Sequence, residues 1–135
     1  GATADGRLSG ESFGANFSPS LFAKTAGPIT VCEHFSCADL KRTLNGGPLT
    51  LEFAMDIFQD EQTVTKLAML VRYFILRGGH QLQLNAVDPE RLHAAQADPD
   101  LYRQLIVRVW GWSAYFVELD KEYQDHVIAR QAYTL

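Results

Sequence analysis

The stretch Leu105-Ile-Val-Arg-Val-Trp-Gly-Trp-Ser-Ala-Tyr-Phe-Val-Glu-Leu119 is rich in strand-forming residues and is broken at its centre by Gly111, between two tryptophans. β-Branched and aromatic side chains favour strands, whereas a glycine inside such a run weakens it. An interior glycine marks a sharp turn, a bulge or a close approach of the backbone to another group. The stretch therefore predicts two strands joined at Gly111, and one interpretation is a simple turn between buried strands.

The composition is that of a globular protein. The chain has 135 residues and a formal net charge of −4, which fits a single domain and argues against a dedicated nucleic-acid binder. No run approaches the roughly 18 apolar residues of a membrane span, and no basic-then-apolar leader is present. We therefore expect a cytoplasmic protein that binds neither a membrane nor nucleic acid.

The two cysteines, Cys32 and Cys37, are spaced C-x4-C with no second pair elsewhere. A structural zinc site would need two further ligands, which the scattered histidines are poorly placed to supply. We interpret both cysteines as ordinary reduced thiols and expect neither a metal nor a directly bound cofactor. The four histidines are His34, His80, His93 and His126.

The first 59 residues carry weak patterns. Residues 1–28 are rich in Gly, Ser, Asn and Pro, which is typical of irregular chain. The β-branched run Ile29–Cys32 predicts a strand, the spacing of Leu40 and Leu44 predicts a helix over 36–44, and the alternation over Leu49–Phe53 predicts a half-buried strand. Four apolar residues of the irregular segment are expected to pack against another surface: Phe13, Phe17, Leu21 and Phe22.

The patterns are clearer from Asp60 onward. Apolar residues from Val64 to Ile75 recur at helical spacing, Asp60 or Thr63 can cap this helix, and Gly78-Gly79 ends it. The alternation over His80–Val87 predicts a strand with Leu82, Leu84 and Ala86 on one face. Three more helices are predicted: from Asp88-Pro89 to about Ala97, over 100–104, and from Asp120 to about Tyr133, the last burying Tyr123, Val127 and Ile128.

The segment Ile106–Ala114 resembles the radical-bearing loop of glycyl radical enzymes. The pattern of that loop is Arg, an aliphatic residue, a small residue, Gly and an aromatic residue, and Arg108, Val109, Gly111 and Trp112 fit it. Trp110 departs from the pattern, because the family commonly has Ser, Ala or Cys at that position.

Further collinear blocks extend the resemblance over essentially the whole chain. Residues 2–7 followed by Gly10-Glu11 are similar to the family's Ala-Thr-Pro-Asp-Gly-Arg…Gly-Glu segment, with Ala4 in place of the proline. Residues 78–85 resemble its Gly-Gly-x5-Asn strand. Pro99 and Tyr102 match the run before the loop, and Gln124, Ile128 and Arg130 match its C-terminal helix.

The resemblance implies an α/β fold: a C-terminal piece of the glycyl radical enzyme barrel, with short strands, helices and an inserted glycine loop. It divides the chain into a loop-rich segment, residues 1–59, that packs on the rest of the enzyme, and a glycyl radical domain, residues 60–135. Such a piece would lack a full set of strand partners.

The resemblance also implies that Gly111 stores a backbone radical. A glycine Cα radical is delocalised over the flanking amides only when its centre is planar, and any side chain would crowd that geometry. The chain itself would bind no cofactor, because an S-adenosylmethionine and iron–sulfur activating enzyme installs the radical. The loop would be supported by Arg108, Val109, Trp110, Trp112 and Ser113. The tryptophans would shield the radical or simply pack in the core.

The implied function is that of an anaerobic, oxygen-sensitive lyase whose radical passes to a cysteine outside this chain. Cys32 lies in Val31-Cys-Glu-His34, which departs from the family's Gly-Cys-x-Glu loop and follows residues 2–7 instead of preceding them. The expected partners are the remainder of the enzyme, which carries that cysteine, and the activating enzyme, with the full enzyme forming a homo-oligomer. The reaction would cleave a C–C or C–heteroatom bond, and the aromatic-rich tail resembles arylacetate decarboxylases.

Two alternatives remain at this level. The chain could be a spare domain that restores an oxygen-cleaved enzyme, or a non-catalytic binding or structural module in which Gly111 is only a turn. Near the loop, Arg108 is expected to hydrogen-bond carbonyl groups or to pair with Glu118.

Overall fold

Residues 3–4, 6–11, 14, 16–130 and 132–135 are described by the computed structural model of the chain. Phe13 and the Ala2 and Asp5 positions of the first motif lie outside the described residues. The helices are α1 (Pro28–Ser36), α2 (Glu61–Leu76), α3 (Pro89–Ala97) and α4 (Lys121–Ile128); the strands are β1 (Pro48–Ala54), β2 (Gln81–Val87), β3 (Ile106–Arg108), β4 (Ser113–Tyr115) and β5 (Ala132–Tyr133).

Strand β1 is the centre of a parallel sheet with the order β2-β1-β5. The pairing of β1 with β2 runs from Pro48 opposite Gln81 to Ala54 opposite Val87, and α2 provides the crossover that a parallel pair requires. The predicted strand is confirmed, but its half-burial is wrong: Glu52, at a polar position of the alternation, is only 5% exposed. A central strand is covered on both faces, so an acid within it must find partners inside the fold.

The run Ile29–Cys32, predicted as a strand, forms part of α1 instead. Pro28 occupies the first helical turn, where its fixed φ favours a helix. Val31, Cys32 and Phe35 then fall on one face and are buried in the core. Burial at helical spacing has therefore overridden the strand preference of the β-branched residues.

Two other predicted helices shrink to single 3₁₀ turns. The helix expected over 36–44 is reduced to Leu40–Arg42, because Leu40 is buried whereas Leu44 is 96% exposed and has no apolar surface to cover. The helix expected over 100–104 is the turn Pro99–Tyr102, which has no buried residue. Short helices gain most of their stability from packing, and these two segments offer little of it.

The C-terminal helix is shorter than predicted. It ends at Ile128, and Ala132–Tyr133 returns to the sheet as β5, with Phe53 opposite Tyr133. The predicted burial of Val127 is confirmed, but Tyr123 is 42% exposed. Tyr133 is 5% exposed and packs near Phe53, so the chain gains more by adding a strand than by extending the helix.

The two helices and the strand predicted between Asp60 and Ala97 are confirmed, although Val64 and Ile75 of the predicted apolar face are 44% and 64% exposed. Asp60 caps α2 by accepting hydrogen bonds from the backbone N–H groups of Gln62 and Thr63. Asp88 caps α3 by accepting a hydrogen bond from the backbone N–H of Arg91. In β2, Leu82 and Leu84 pack on the core as expected, whereas Ala86 is exposed.

Two core clusters result. The first lies between β1, α1 and α2 and includes Leu49, Leu51, Phe53 and Phe74; the second lies between α3, α4 and the Gly111 region and is built around Phe116 and Leu92. The described strands form one three-stranded and one two-stranded sheet and no closed barrel. None of the helices in the described part has the length and apolar character that a bilayer crossing requires. The division at residue 59 stays a prediction.

Candidate functional site at the Gly111 hairpin

Gly111 lies at the tip of a tight β-hairpin. Strands β3 and β4 pair antiparallel, with Arg108 opposite Ser113, and the same register places Val109 opposite Trp112. Gly111 has a φ of +99°, yet a Cβ at this position would meet nothing within 4 Å. The turn thus requires glycine for its backbone conformation and not for lack of space.

The hairpin is closed in an unusual way. The N–H of Val109 donates to the carbonyl of Trp112 at 2.9 Å, but within the described hairpin the reciprocal bond from Trp112 N–H to Val109 O is not formed. A hydrogen-bonded antiparallel pair ordinarily makes both bonds. The carbonyl of Val109 instead accepts from Nη2 of Arg130 at 2.7 Å, and the carbonyl of Arg108 accepts from Nη1 of Arg130 at 3.0 Å.

Arg130 is itself fixed by a buried ion pair. Its Nη1 lies 2.9 Å from Oε1 of Glu52, and the two side chains are 10% and 6% exposed. The same Oε1 accepts from Nδ2 of Asn85 at 3.1 Å, and Oδ1 of Asn85 accepts from Nε2 of Gln83 at 2.9 Å. A polar network therefore runs from β2 through β1 to the carbonyls that precede Trp110-Gly111.

Trp110 packs on α4. Its ring lies edge-on to Tyr123, with centroids 5.8 Å apart, and edge-on to His126 at 5.1 Å. The guanidinium carbon of Arg130 lies 6.0 Å from the ring centroid, at the outer limit of a cation–π contact. This packing accounts for a large residue where the resemblance has a small one.

Shielding by the tryptophans is not achieved within this chain alone. Trp110 is 38% exposed and Trp112 is 50% exposed, and Gly111 is exposed as well. The predicted shielding role stays a prediction that depends on what covers this face.

A small cavity with several polar lining groups lies behind Trp110. Its volume is about 60 Å³, and its lining includes Glu52, Trp110, His126 and Arg130. Two buried atoms, Oε2 of Glu52 and Nδ1 of His126, find no hydrogen-bond partner in the described part of the chain. The cavity is large enough for water, which would satisfy both. Burial, and secondarily the charge of Arg130, lowers the pKa of His126 below its usual value of 6.5.

Gln124 supports the base of the hairpin. Its Nε2 donates to the carbonyls of Phe116 and Leu119, both at 3.0 Å. Phe116 follows β4 directly and is fully buried, and its N–H donates to Leu105 O at 2.7 Å, which extends the hairpin register. The base is therefore fixed by packing and by Gln124, and the tip by Arg130.

The sequence-predicted loop residues are brought together, but not all interact as expected. Arg108 donates to Oγ of Ser113 at 3.3 Å, and no ion pair with Glu118 is found among the described residues. Val109 is 2% exposed. The residue that hydrogen-bonds carbonyls of the loop is Arg130 and not Arg108, and the sequence did not indicate the roles of Glu52, His126 and Arg130. The sequence offered one signal for this network: Glu52 interrupts the apolar run Leu49–Phe53. An acid buried in a strand needs a charged or hydrogen-bonding partner.

The described residues offer no group of three or more side chains placed to hold a metal ion. Cys32 lies on α1 in the first core cluster, and burial raises the pKa of its thiol to about 11. A buried, protonated thiol is a poor nucleophile or metal ligand. Cys37 is exposed and free.

Comparison with known proteins identifies the family. The family model described as "Glycine radical" matches residues 13–117. The chain belongs to the glycyl radical family. Its fold is that of the C-terminal region of these enzymes: it superimposes with a TM-score of 0.90 and 36% identity on the glycerol-bound B12-independent glycerol dehydratase from Clostridium butyricum, covering 100% of this chain and 17% of that one.

Curated glycyl radical relatives align over nearly the whole chain. The 4-hydroxyphenylacetate decarboxylase glycyl radical subunit of Clostridioides difficile is 39% identical over 98% of this chain, and trans-4-hydroxy-L-proline dehydratase from the same organism is 36% identical over 99%. The chain spans only 15% and 17% of the length of these two relatives. It is a glycyl radical domain, the C-terminal part of such enzymes.

Proposed function

We propose that Gly111 stores the radical of an anaerobic glycyl radical lyase and that the radical passes from it to a cysteine outside this chain. The observation that carries the proposal is that Gly111 lies, exposed, at the tip of a hairpin whose carbonyls accept hydrogen bonds from Arg130, in a segment that resembles the family's radical-bearing loop. An exposed tip can be reached by a second protein, as activation requires.

Formation of the radical would involve the backbone of Gly111 and no reacting side chain of this chain. An activating enzyme that uses S-adenosylmethionine and an iron–sulfur cluster would remove one hydrogen atom from Cα of Gly111 by homolysis of the C–H bond. Residues of this chain would hold the backbone on either side while the centre becomes planar. The glycine has no Cβ to resist that change.

The remainder of the enzyme is the second partner. Trp110, Trp112 and Gly111 form an exposed patch at the hairpin tip, and a stored radical must be kept from oxygen and bulk water. We propose that the chain carrying the catalytic cysteine covers this patch in a cytoplasmic, homo-oligomeric enzyme. Relatives named as a decarboxylase and as a dehydratase are similar to this chain to nearly the same degree. The proposal therefore covers C–C cleavage, including arylacetate decarboxylation, and C–heteroatom cleavage alike.

Electron paramagnetic resonance tests the proposal. The full-length protein that carries this chain is incubated without oxygen with an activating enzyme and S-adenosylmethionine. We expect a doublet in the wild type and none in Gly111→Ala. Gly78→Ala is the matched control, because Gly78 has a φ of +82° and equally open space but lies at the end of α2; it should keep the doublet.

Two results would contradict the proposal: no signal under conditions that activate a relative, or a doublet that persists in Gly111→Ala. Exposure to air gives a second measurement. Activated wild type should release a C-terminal peptide that begins near Trp112, detectable by mass spectrometry, and unactivated protein should not.

A further inference from the structure

The guanidinium of Arg130 connects the central strand to the radical loop. It donates to Oε1 of Glu52 and to two consecutive carbonyls, those of Arg108 and Val109, at 2.7–3.0 Å. A guanidinium is planar and its donors have a fixed geometry, so three bonds from two nitrogens determine its position and that of the carbonyls. We infer that Arg130 is a positioning residue for Gly111 and that Glu52 orients it, an inference that rests on the proposed function.

The hairpin requires such an anchor. Each of its strands is three residues long, and a two-stranded hairpin of this size is marginally stable by itself. β3 and β4 form a sheet of their own, separate from β1 among the described strands. One of the two bonds expected to close the hairpin is replaced by the bond from Arg130 to Val109 O. The orientation of the tip relative to β1 therefore depends on Arg130.

Burial makes the anchor strong and directional. With exposures of 10% and 6%, the Arg130–Glu52 pair is little screened by water. Asn85 holds Glu52 from the neighbouring strand, directly opposite it in the register. The anchored carbonyl of Val109 is separated from Gly111 only by Trp110, so a displacement of Arg130 is transmitted to the Gly111 Cα. The radical passes to the cysteine when a hydrogen atom moves from its thiol to Cα of Gly111, and this transfer depends steeply on that placement.

The test uses the full-length protein with three variants: Arg130→Gln, Arg130→Lys and Glu52→Gln. Arg103→Gln is the matched control, because Arg103 is exposed and, among the described residues, pairs with exposed Asp100 alone. Hydrogen exchange of the unactivated protein reports loop order without any radical. We expect amides of residues 105–119 to exchange about tenfold faster in Arg130→Gln, as loss of charged hydrogen bonds implies, with β1 and β2 unchanged. Arg130→Lys keeps the charge but not the planar fork and should fall between Arg130→Gln and the wild type.

Turnover per radical spin, from activity and electron paramagnetic resonance on the same sample, reports the position of Gly111. It should fall about tenfold or more in Arg130→Gln, less in Arg130→Lys and Glu52→Gln, and not in Arg103→Gln. A purely structural role for Arg130 would instead accelerate exchange throughout the chain and leave turnover per spin unchanged, which would overturn the inference.

If Arg130→Gln alone does not fold, the double variant Glu52→Gln/Arg130→Gln carries the same test without a buried unpaired charge. Wild-type loop exchange and wild-type turnover per spin in that variant would overturn the inference. The two proposals fail separately: no radical in the wild type contradicts the proposed function, whereas wild-type loop exchange and wild-type turnover per spin in the Arg130 variants contradict the role of Arg130.

Discussion

The indole of Trp110 lies edge-on to the imidazole of His126, with ring centroids 5.1 Å apart and planes at 83°. The residue before the loop glycine thus contacts the one titratable side chain among the described residues whose pKa is lowered by both burial and Arg130. Protonation of His126 would place a second positive charge at the cavity that Arg130 also lines. The hairpin tip is therefore adapted to a neutral His126.

His126 should make the stability of the protein depend on pH. Its pKa is below 6.5 in the folded state and close to that value when unfolded, so the unfolded state takes up the proton first as the pH falls. The contribution of His126 to the free energy of unfolding should be constant above about pH 7 and should decrease as the pH falls through 6.5 toward the folded-state pKa. Urea denaturation at a series of pH values measures this slope.

His126→Gln should flatten the decrease between about pH 7 and 5, because glutamine does not titrate. His80→Gln, at an exposed position, serves as the control and should retain the wild-type slope. An identical slope in His126→Gln and the wild type would show that another group is responsible.

Trp110 and Tyr123 should be energetically coupled. Their rings are edge-on at 5.8 Å, and aromatic pairs of this geometry contribute about 0.5–1.5 kcal/mol beyond their buried area. A double-mutant cycle with Trp110→Ala and Tyr123→Ala, measured by urea denaturation, should give a coupling energy in that range.

Trp112 provides the matched comparison. It lies on the other side of Gly111, is 50% exposed and makes no ring contact with a described aromatic residue. The cycle between Trp112→Ala and Tyr123→Ala should give a coupling near zero. Equal coupling in both cycles would mean that the contact with α4 does not distinguish the two tryptophans.

Local sequence signals were sufficient to predict the structure where a helix cap or a turn determines it. Asp60 and Asp88 begin their helices through side-chain oxygens, and Gly111 turns the hairpin through a positive φ. These effects depend on a few adjacent residues and can be recognised in sequence. The Ile29–Cys32 run could not be assigned from preference alone, because its conformation is decided by the packing of Val31 and Phe35 against the first core cluster.

The anchor of the loop could not be found from spacing for a similar reason. Glu52 and Arg130 are 78 residues apart in sequence, and nothing adjacent to either one specifies the other. The sequence shows an acid inside a strand, and the requirement that a buried charge be paired predicts that a partner exists. The partner of Glu52 can be identified only from the structure, in which the chain leaves α4 at Ile128 and returns to the sheet as β5, with Arg130 in between. The sequence predicted a helix to about Tyr133 and therefore did not predict this return.

A side chain at Gly79 should destabilise the protein because of a steric clash, whereas Gly111 requires glycine for its positive φ. A Cβ at Gly79 would clash with the ring of Phe74, and that ring is 3% exposed and stacks on Phe35 at 5.5 Å. The ring has no free space to move into, so Gly79→Ala should destabilise the protein by about 1–3 kcal/mol. Because the clash is with one ring, Phe74→Leu in the Gly79→Ala background should cost less than Phe74→Leu in the wild type, as measured by urea denaturation. Strictly additive effects of the two substitutions would contradict the clash.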